Sequence, residues 1–210
     1  TELAAQADIG LTVDAEESER LEASLDLIEG AAAAASTKGW DGLALAVQAY
    51  QKRAPAMIDW AIELARRTRR RLGLRLVKGA YWDSEIKRAQ LLGLDHYPVF
   101  TRKASTDVSY FACAARMLAA GPALRPAFAT HNPATLAWVL EAAGGRRDFE
   151  FQRLHGMGEA LYDQLVPERC ACRVYAPVGG HEELLAYLVR RLLENGANTS
   201  FVNRVADASL

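Results

Sequence analysis

Short apolar runs alternate with longer amphipathic segments along this chain. The runs are IGLTV (9–13), LALAVQAY (43–50), LRLVKGAY (74–81), PAFATHN (126–132), FEFQRLHG (149–156) and CRVYAPVG (172–179). Between them lie stretches with helical spacing, among them SERLEASLDLIEG, PAMIDWAIELARRTRRRL and NPATLAWVLEAAGG. Strands that are apolar on both faces and separated by helices predict parallel βαβ units. The alanine run in AAAAASTKG (31–39) predicts a helix tail and loop, with Gly39 as the stop. No repeat beyond the β/α alternation and no domain boundary is visible, so 1–210 reads as one unit.

Polar residues collect where each run ends. Asp14, Glu16 and Glu17 follow the first; Gln48, Gln51 and Lys52 end the second; Lys78, Tyr81 and Trp82 end the third. Thr130, His131 and Asn132 end the fourth, Gln152 and His155 the fifth, and Tyr175 the sixth. In a parallel β/α barrel these ends share one face, where such enzymes place their chemistry. An open doubly wound sheet also binds ligands at strand ends, but mainly at one crevice. Polar groups on six consecutive ends favour the barrel. Each has an ordinary reading as well. Asp14 with Glu17 resembles a capping box. Asn132 before Pro133 is a standard helix start. Gly79, Gly156 and Gly158 suit tight strand-to-helix turns.

Composition narrows the classes. A chain of 210 residues with 50% hydrophobic content supports one good core. A net charge of −1 gives no global field for nucleic acid. The basic run Arg66 to Arg71 reads as a solvated helix end. No apolar run reaches membrane-spanning length and no signal peptide pattern is visible. Of three cysteines, Cys113 reads as a buried thiol, while Cys170 and Cys172 are too close for an ordinary bridge. A cytoplasmic setting follows as the simplest expectation. There is neither a metal-ligand spacing nor a Walker loop, and HGMGE supplies only a weak GxG.

One segment carries sharper chemistry. In AYLVRRLLENG (186–196), Arg190 and Arg191 sit inside an otherwise apolar helical pattern. Two guanidinium forks suit a small carboxylate. The bland reading pairs Arg190 with Glu194 one turn on and sends Arg191 to water.

RLVKGAYWDSEIKRAQ, PVFTRK, TDVSYFACA, FATHN, FQRLHGMGE, YAPVG and YLVRRLLENGANTSFVNR together resemble the proline dehydrogenase domain of bacterial proline utilization A flavoproteins, from about Ile9 to Leu210. The resemblance implies a distorted (βα)8 TIM-type barrel holding FAD. It implies oxidation of L-proline to Δ1-pyrroline-5-carboxylate by hydride transfer to the flavin. The six runs match the last six β/α units; the first two strands, and the active-site lysine of the second, have no counterpart here. Residues 1–210 are therefore expected to form the C-terminal portion of the barrel, within a longer polypeptide or with the first strands on another chain.

Carried over by position, Arg190 and Arg191 match the pair gripping the proline carboxylate. Tyr175, Tyr81 and Leu154 match positions around the substrate ring, and Asp14 a strand-end aspartate beside it. Arg75 matches an arginine beside the reactive flavin nitrogen, which makes Arg75, Asp14 and Tyr175 the catalytic candidates. Gln48, Arg75, Lys78, Gly79, Ala80, Trp82, Thr101, Lys103, Thr106, His131, Asn132, Gln152 and Glu194 match cofactor contacts. The resemblance further implies a quinone or other electron acceptor, an aldehyde dehydrogenase domain on the longer polypeptide, and membrane contact that is at most peripheral. Two other readings stand beside it: a barrel enzyme with a phosphate-bearing substrate, and an incomplete barrel that binds FAD or a partner without turnover.

Overall fold

Alternation inside the strands decides the architecture. In LGLRLV, Leu72, Leu74 and Leu76 are buried while Arg75 and Val77 are only partly so. Successive side chains on a strand face opposite ways, so one face is wholly apolar and the other carries a charge. The computed structural model describes residues 1–165, 169–182, 184–185, 187–189 and 191. It contains six strands: β1 (Leu11–Val13), β2 (Leu43–Gln48), β3 (Leu72–Val77), β4 (Leu124–Ala129), β5 (Glu150–Leu154) and β6 (Ala171–Tyr175). They pair in sequence order and all in parallel, as a curled half-barrel with helices outside. The six runs are thus the six strands, in the expected order.

The helices are α1 (Glu2–Gln6), α2 (Leu21–Ala33), α3 (Ala54–Thr68), α4 (Trp82–Leu91), α5 (Lys103–Ala119), α6 (Pro133–Ala142) and α7 (Glu159–Asp163). The core lies between them and the outer face of the sheet. Leu43, Leu45, Leu72, Leu74, Leu76, Phe128 and Phe151 from the strands meet Ile58, Leu64, Tyr110, Met117 and Val139 from the helices. Phe128, Phe149, Phe151 and Tyr162 make edge-on and tilted ring contacts along this seam. Such contacts add to the transfer free energy of the buried rings.

The inner face is different. Register places Thr12, Ala44, Gly73 and Arg125 side by side in one row, and Ala46, Arg75, Ala127, Glu150 and Ala171 in the next. Gln48 with Val77, Ala129 with Gln152 and Arg173, and Leu154 with Tyr175 lie nearer the strand ends. Complete barrels fill this space with bulky branched residues. Here alanine and glycine alternate with charged and amide groups, which leaves room.

Several local expectations are corrected. The helix predicted to run through Leu72 stops at Thr68, where Arg69 adopts a left-handed conformation with φ 54° and donates its N–H to the Arg66 carbonyl. The alanine-rich helix stops at Ala33, before Gly39, because the Thr37 hydroxyl donates to the carbonyls of Ala31 and Ala34 and draws the backbone into a short 3-10 turn. The third strand ends at Val77, earlier than the run LRLVKGAY implied. The basic run is not simply a solvated end. Arg70 is half-buried and donates to the carbonyls of Ala32, Ala34, Thr37 and Trp40 and to the Thr37 hydroxyl. It satisfies carbonyls that the ended helix and the following turn leave open.

A substitution tests that role. Arg70→Met in the intact protein is expected to lower unfolding stability by about 2–3 kcal/mol, since several carbonyls lose a charged donor. A solvated arginine would shift it by less than about 0.5 kcal/mol. The urea midpoint at constant slope decides between them.

Candidate active site

The strand ends carry loops that lock onto each other. After β1, the segment 14–20 crosses towards α4. The Ser18 N–H and hydroxyl both donate to the buried Glu85 carboxylate, at 2.5 and 2.7 Å. Arg88 pairs with Glu19, and the Tyr81 hydroxyl donates to Glu16 at 3.1 Å. The Gln48 amide reaches both neighbouring loops: Nε2 donates to the Glu16 carbonyl at 2.8 Å, and Oε1 accepts from the Ala80 N–H at 3.2 Å. Gln48 is therefore a buried cross-brace between three strand ends.

Asp14 does not form a capping box. Its carboxylate pairs with Arg75 instead, and the 3-10 turn that opens at Glu17 has no side-chain cap. A guanidinium inside the barrel is a stronger partner for a carboxylate than an exposed backbone N–H. Arg75 also donates through Nη1 to the Tyr175 hydroxyl at 2.6 Å, and its guanidinium carbon lies 5.1 Å from the Tyr175 ring centre. Tyr175 donates in turn to Gln152 Oε1 at 2.6 Å. Only 13% of the Arg75 side chain is exposed, and its Nε is buried without a hydrogen-bond partner. The three catalytic candidates from the sequence thus converge on one point, although they are 61 and 100 residues apart from Arg75 in the chain.

Two polar walls flank that point. On one side Lys78 pairs with Asp107, Trp82 Nε1 donates to the Phe100 carbonyl at 2.9 Å, Thr106 is buried, and Lys103 opens the long helix α5 behind the exposed Thr101. Gly79, at φ 138°, closes the turn; a Cβ there would lie 2.4 Å from the Tyr50 ring. On the other side, Asn132 caps α6 by accepting from the Thr135 N–H at 3.1 Å, so the helix-start reading holds. His131 Nε2 accepts from the Leu154 N–H at 3.1 Å. Burial first, then the charges of Arg153 and Arg191, hold His131 below its ordinary pKa, so it stands neutral.

Described residues between 181 and 191 are helical. Arg191 is partly buried and lies over the Tyr187 ring, 4.9 Å from its centre. Arg190 and Glu194 lie outside the described residues, so neither the carboxylate grip nor the Arg190–Glu194 pair is settled by geometry. Among the described residues, no group of three or more acidic, histidine or cysteine side chains could hold a metal ion.

The family model for proline dehydrogenase matches residues 1–204. The chain belongs to the proline dehydrogenase family. The bifunctional protein PutA of Escherichia coli is 60% identical over 219 aligned residues, which is 100% of this chain and 17% of that protein. A solved structure of proline utilization A with proline bound in remote sites is 62% identical and superposes with a TM-score of 0.93, over 99% of this chain and 22% of that one. Mitochondrial proline dehydrogenase 1 of Caenorhabditis elegans is 27% identical over 217 residues, 98% of this chain and 35% of that protein. The chain thus spans less than a quarter of these two bacterial proteins. Family membership disfavours the reading as a barrel enzyme for a phosphate-bearing substrate.

Some polar residues at these strand ends escaped sequence reasoning. Glu85 and Asp107 sit on helices, where a lone acid reads as surface. Glu150 and Arg173 left a signal: charged side chains inside the apolar runs, two residues before Gln152 and Tyr175 and on the same inner face.

The neutral His131 yields a pH prediction. The unfolded chain takes up a proton near pH 6.5, whereas folded His131 does so only lower. Its contribution to stability is therefore present above pH 6.5 and lost as pH falls through the folded value. His131→Gln keeps an acceptor for the Leu154 N–H, so thermal unfolding from pH 7.5 to 5.5 should show a smaller fall in Tm than the unmodified protein.

Proposed function

We propose that this chain is the C-terminal portion of a (βα)8 proline dehydrogenase barrel that oxidises L-proline to Δ1-pyrroline-5-carboxylate with FAD as cofactor. The observation that carries this reading is the Asp14–Arg75–Tyr175 array at the strand ends, with the Arg75 Nε buried and unpartnered beside the alanines Ala46 and Ala127. A planar group fits beside a cation flanked by such small neighbours, and an orphaned N–H supplies a donor to it.

The residues present fit FAD. Arg75 would face the flavin ring; Gln48, Lys78, Gly79, Ala80 and Trp82 would line one side; His131, Asn132 and Gln152 the other. Lys103, with Thr101 and Thr106 at the start of the 17-residue helix α5, suits the pyrophosphate, because a helix N-terminus favours anions. Glu194 completes the set by position in the sequence. Bound FAD supplies a two-electron hydride acceptor.

The protein's own groups do the positioning. Arg190 and Arg191 hold the carboxylate of proline in two forks. Tyr81, Tyr175 and Leu154 surround the ring and exclude water. Asp14 keeps the Arg75 guanidinium turned towards the strand ends. Fixing the ring carbon that loses hydride against its acceptor is where most of the rate arises. A quinone or another acceptor would take up the electrons, and an aldehyde dehydrogenase domain on the longer polypeptide would consume the product. We place the protein in the cytoplasm with any membrane contact peripheral; no helix among the described residues is long and apolar enough to cross a membrane.

The complete polypeptide is expected to be yellow and to lose its flavin absorbance when L-proline is added without oxygen. A colourless, folded preparation that takes up no FAD overturns the reading. Arg191→Met and Arg190→Met should each retain flavin yet weaken proline by about 2–5 kcal/mol, the cost of stranding one partner of a desolvated charge pair. Lysine at either position should recover only part of this, because a point charge lacks the fork. Michaelis constants alongside flavin content read the outcome. Arg75→Met should lower the flavin midpoint potential, since a cation favours the electron-rich reduced ring; an unchanged potential removes Arg75 from the ring.

A further inference from the structure

Glu150 is a charged residue on the inner wall, below the strand ends. We propose that it is a positioning residue that sets the hydrogen-bond direction of Tyr175 and, through it, the seating of Arg75. The proposal rests on the reading of this site as a proline-oxidising flavin site.

Polarity along one chain of groups carries the inference. Arg173 holds Glu150 in a bidentate pair, Nε to Oε1 at 2.9 Å and Nη2 to Oε2 at 3.0 Å. Both carboxylate oxygens of Glu150 therefore serve as acceptors, and the group presents an oxygen towards Gln152. Gln152 lies on the same inner face and is buried to 4% exposure. Its Nε2 donates to Glu150 Oε1 at 2.5 Å. An amide has one donating and one accepting end, so Oε1 is left for Tyr175, whose hydroxyl donates to it at 2.6 Å. The phenol proton is then committed, and the phenol oxygen accepts from Arg75 Nη1 at 2.6 Å. Arg75 can only donate and also holds Asp14.

Both ends of this chain of groups therefore have fixed polarity. One arrangement of hydrogens satisfies every member, and each bond polarises the next. If the Gln152 amide turned over, its oxygen would face a carboxylate oxygen. Its NH₂ would meet a phenol oxygen already occupied by Arg75, and the Tyr175 proton would be released to point elsewhere. Glu150 forbids that turn. It touches neither Tyr175 nor Arg75, yet it decides how both are presented at the strand ends.

The test is a double-mutant cycle on the full-length protein loaded with FAD. Glu150→Gln is made in the unmodified and in the Tyr175→Phe backgrounds. A glutamine at 150 can offer either end to Gln152, so the directional constraint is lost while volume is kept. The readout is the dissociation constant of a five-membered-ring carboxylate lacking the amine, taken from the change in the flavin absorption band, together with the Michaelis constant and kcat for proline. In the unmodified background the substitution should weaken the ring carboxylate about 3–10-fold with flavin content unchanged; in the Tyr175→Phe background, which has no hydroxyl to direct, the effect should fall below about twofold. Equal effects in both backgrounds, or none in the first, overturn the proposal. If the stranded Arg173 charge prevents folding or flavin uptake, the same cycle with Arg173→Met added to Glu150→Gln replaces it, with the same two outcomes. If the unmodified protein takes up no FAD or gives no response to the ring carboxylate, the functional reading itself fails and the role of Glu150 falls with it. An additive cycle in a responsive protein removes Glu150 alone.

Discussion

Arg75 places a permanent charge on the inner face of the half-barrel, and that charge needs partners. It projects from β3 onto the inner face, with 13% of its side chain exposed. Its charge must be met by groups brought from elsewhere, and they come from both sides of the half-barrel: Asp14 from the end of β1 and Tyr175 from the end of β6. Removing the carboxylate would leave the Arg75 charge uncompensated, so Arg75 depends on Asp14 for charge and on Tyr175 for direction. The Arg75 Nε–H is buried without a hydrogen-bond partner and is flanked in register by the alanines Ala46 and Ala127.

Holding Asp14 in reach requires the loop after β1 to stay down. The buried Glu85 does this from α4 by taking both donors of Ser18, and the Glu16 carbonyl and carboxylate reinforce it through Gln48 and Tyr81. Burial and the Glu85 charge push the Tyr50 phenol well above its ordinary range, so Tyr50 stays a neutral wall against which Gly79 can turn. The loops at the top of the sheet are thus ordered by side-chain groups together with backbone bonds such as the Tyr50 N–H to the Lys78 carbonyl and the Phe100 N–H to the Tyr50 carbonyl, a common way to combine a rigid scaffold with a shaped opening.

The inner wall adds a second level of order. Parallel strands in register put Glu150, Gln152, Arg173 and Tyr175 on neighbouring strands of one face, where a donor-only group at one end and an acceptor-only group at the other leave a single way to place the hydrogens. The outer face contributes nothing to this chemistry. It supplies the packed aromatic and aliphatic layer that keeps the strands, and hence the registers, fixed.

The order and direction of the six strands were legible in the sequence, because apolar runs of strand length between amphipathic segments admit few arrangements besides parallel βαβ units. So was the clustering of polar residues at one end of every run, and the conspicuous segments identified the family. Partners were not legible. Asp14 with Glu17 has the local form of a cap, and only the fold brings Arg75 close enough to claim the carboxylate. The run Arg66 to Arg71 looks uniformly solvated, and only the turn at Ala34 to Trp40 gives Arg70 carbonyls to bind. Glu150 and Arg173 carried no weight as isolated charges, because what they do depends on register between strands 23 residues apart in the chain. Local sequence sets periodicity and turn chemistry, whereas the pairing of charges is a long-range electrostatic choice that exists only once the sheet has curled.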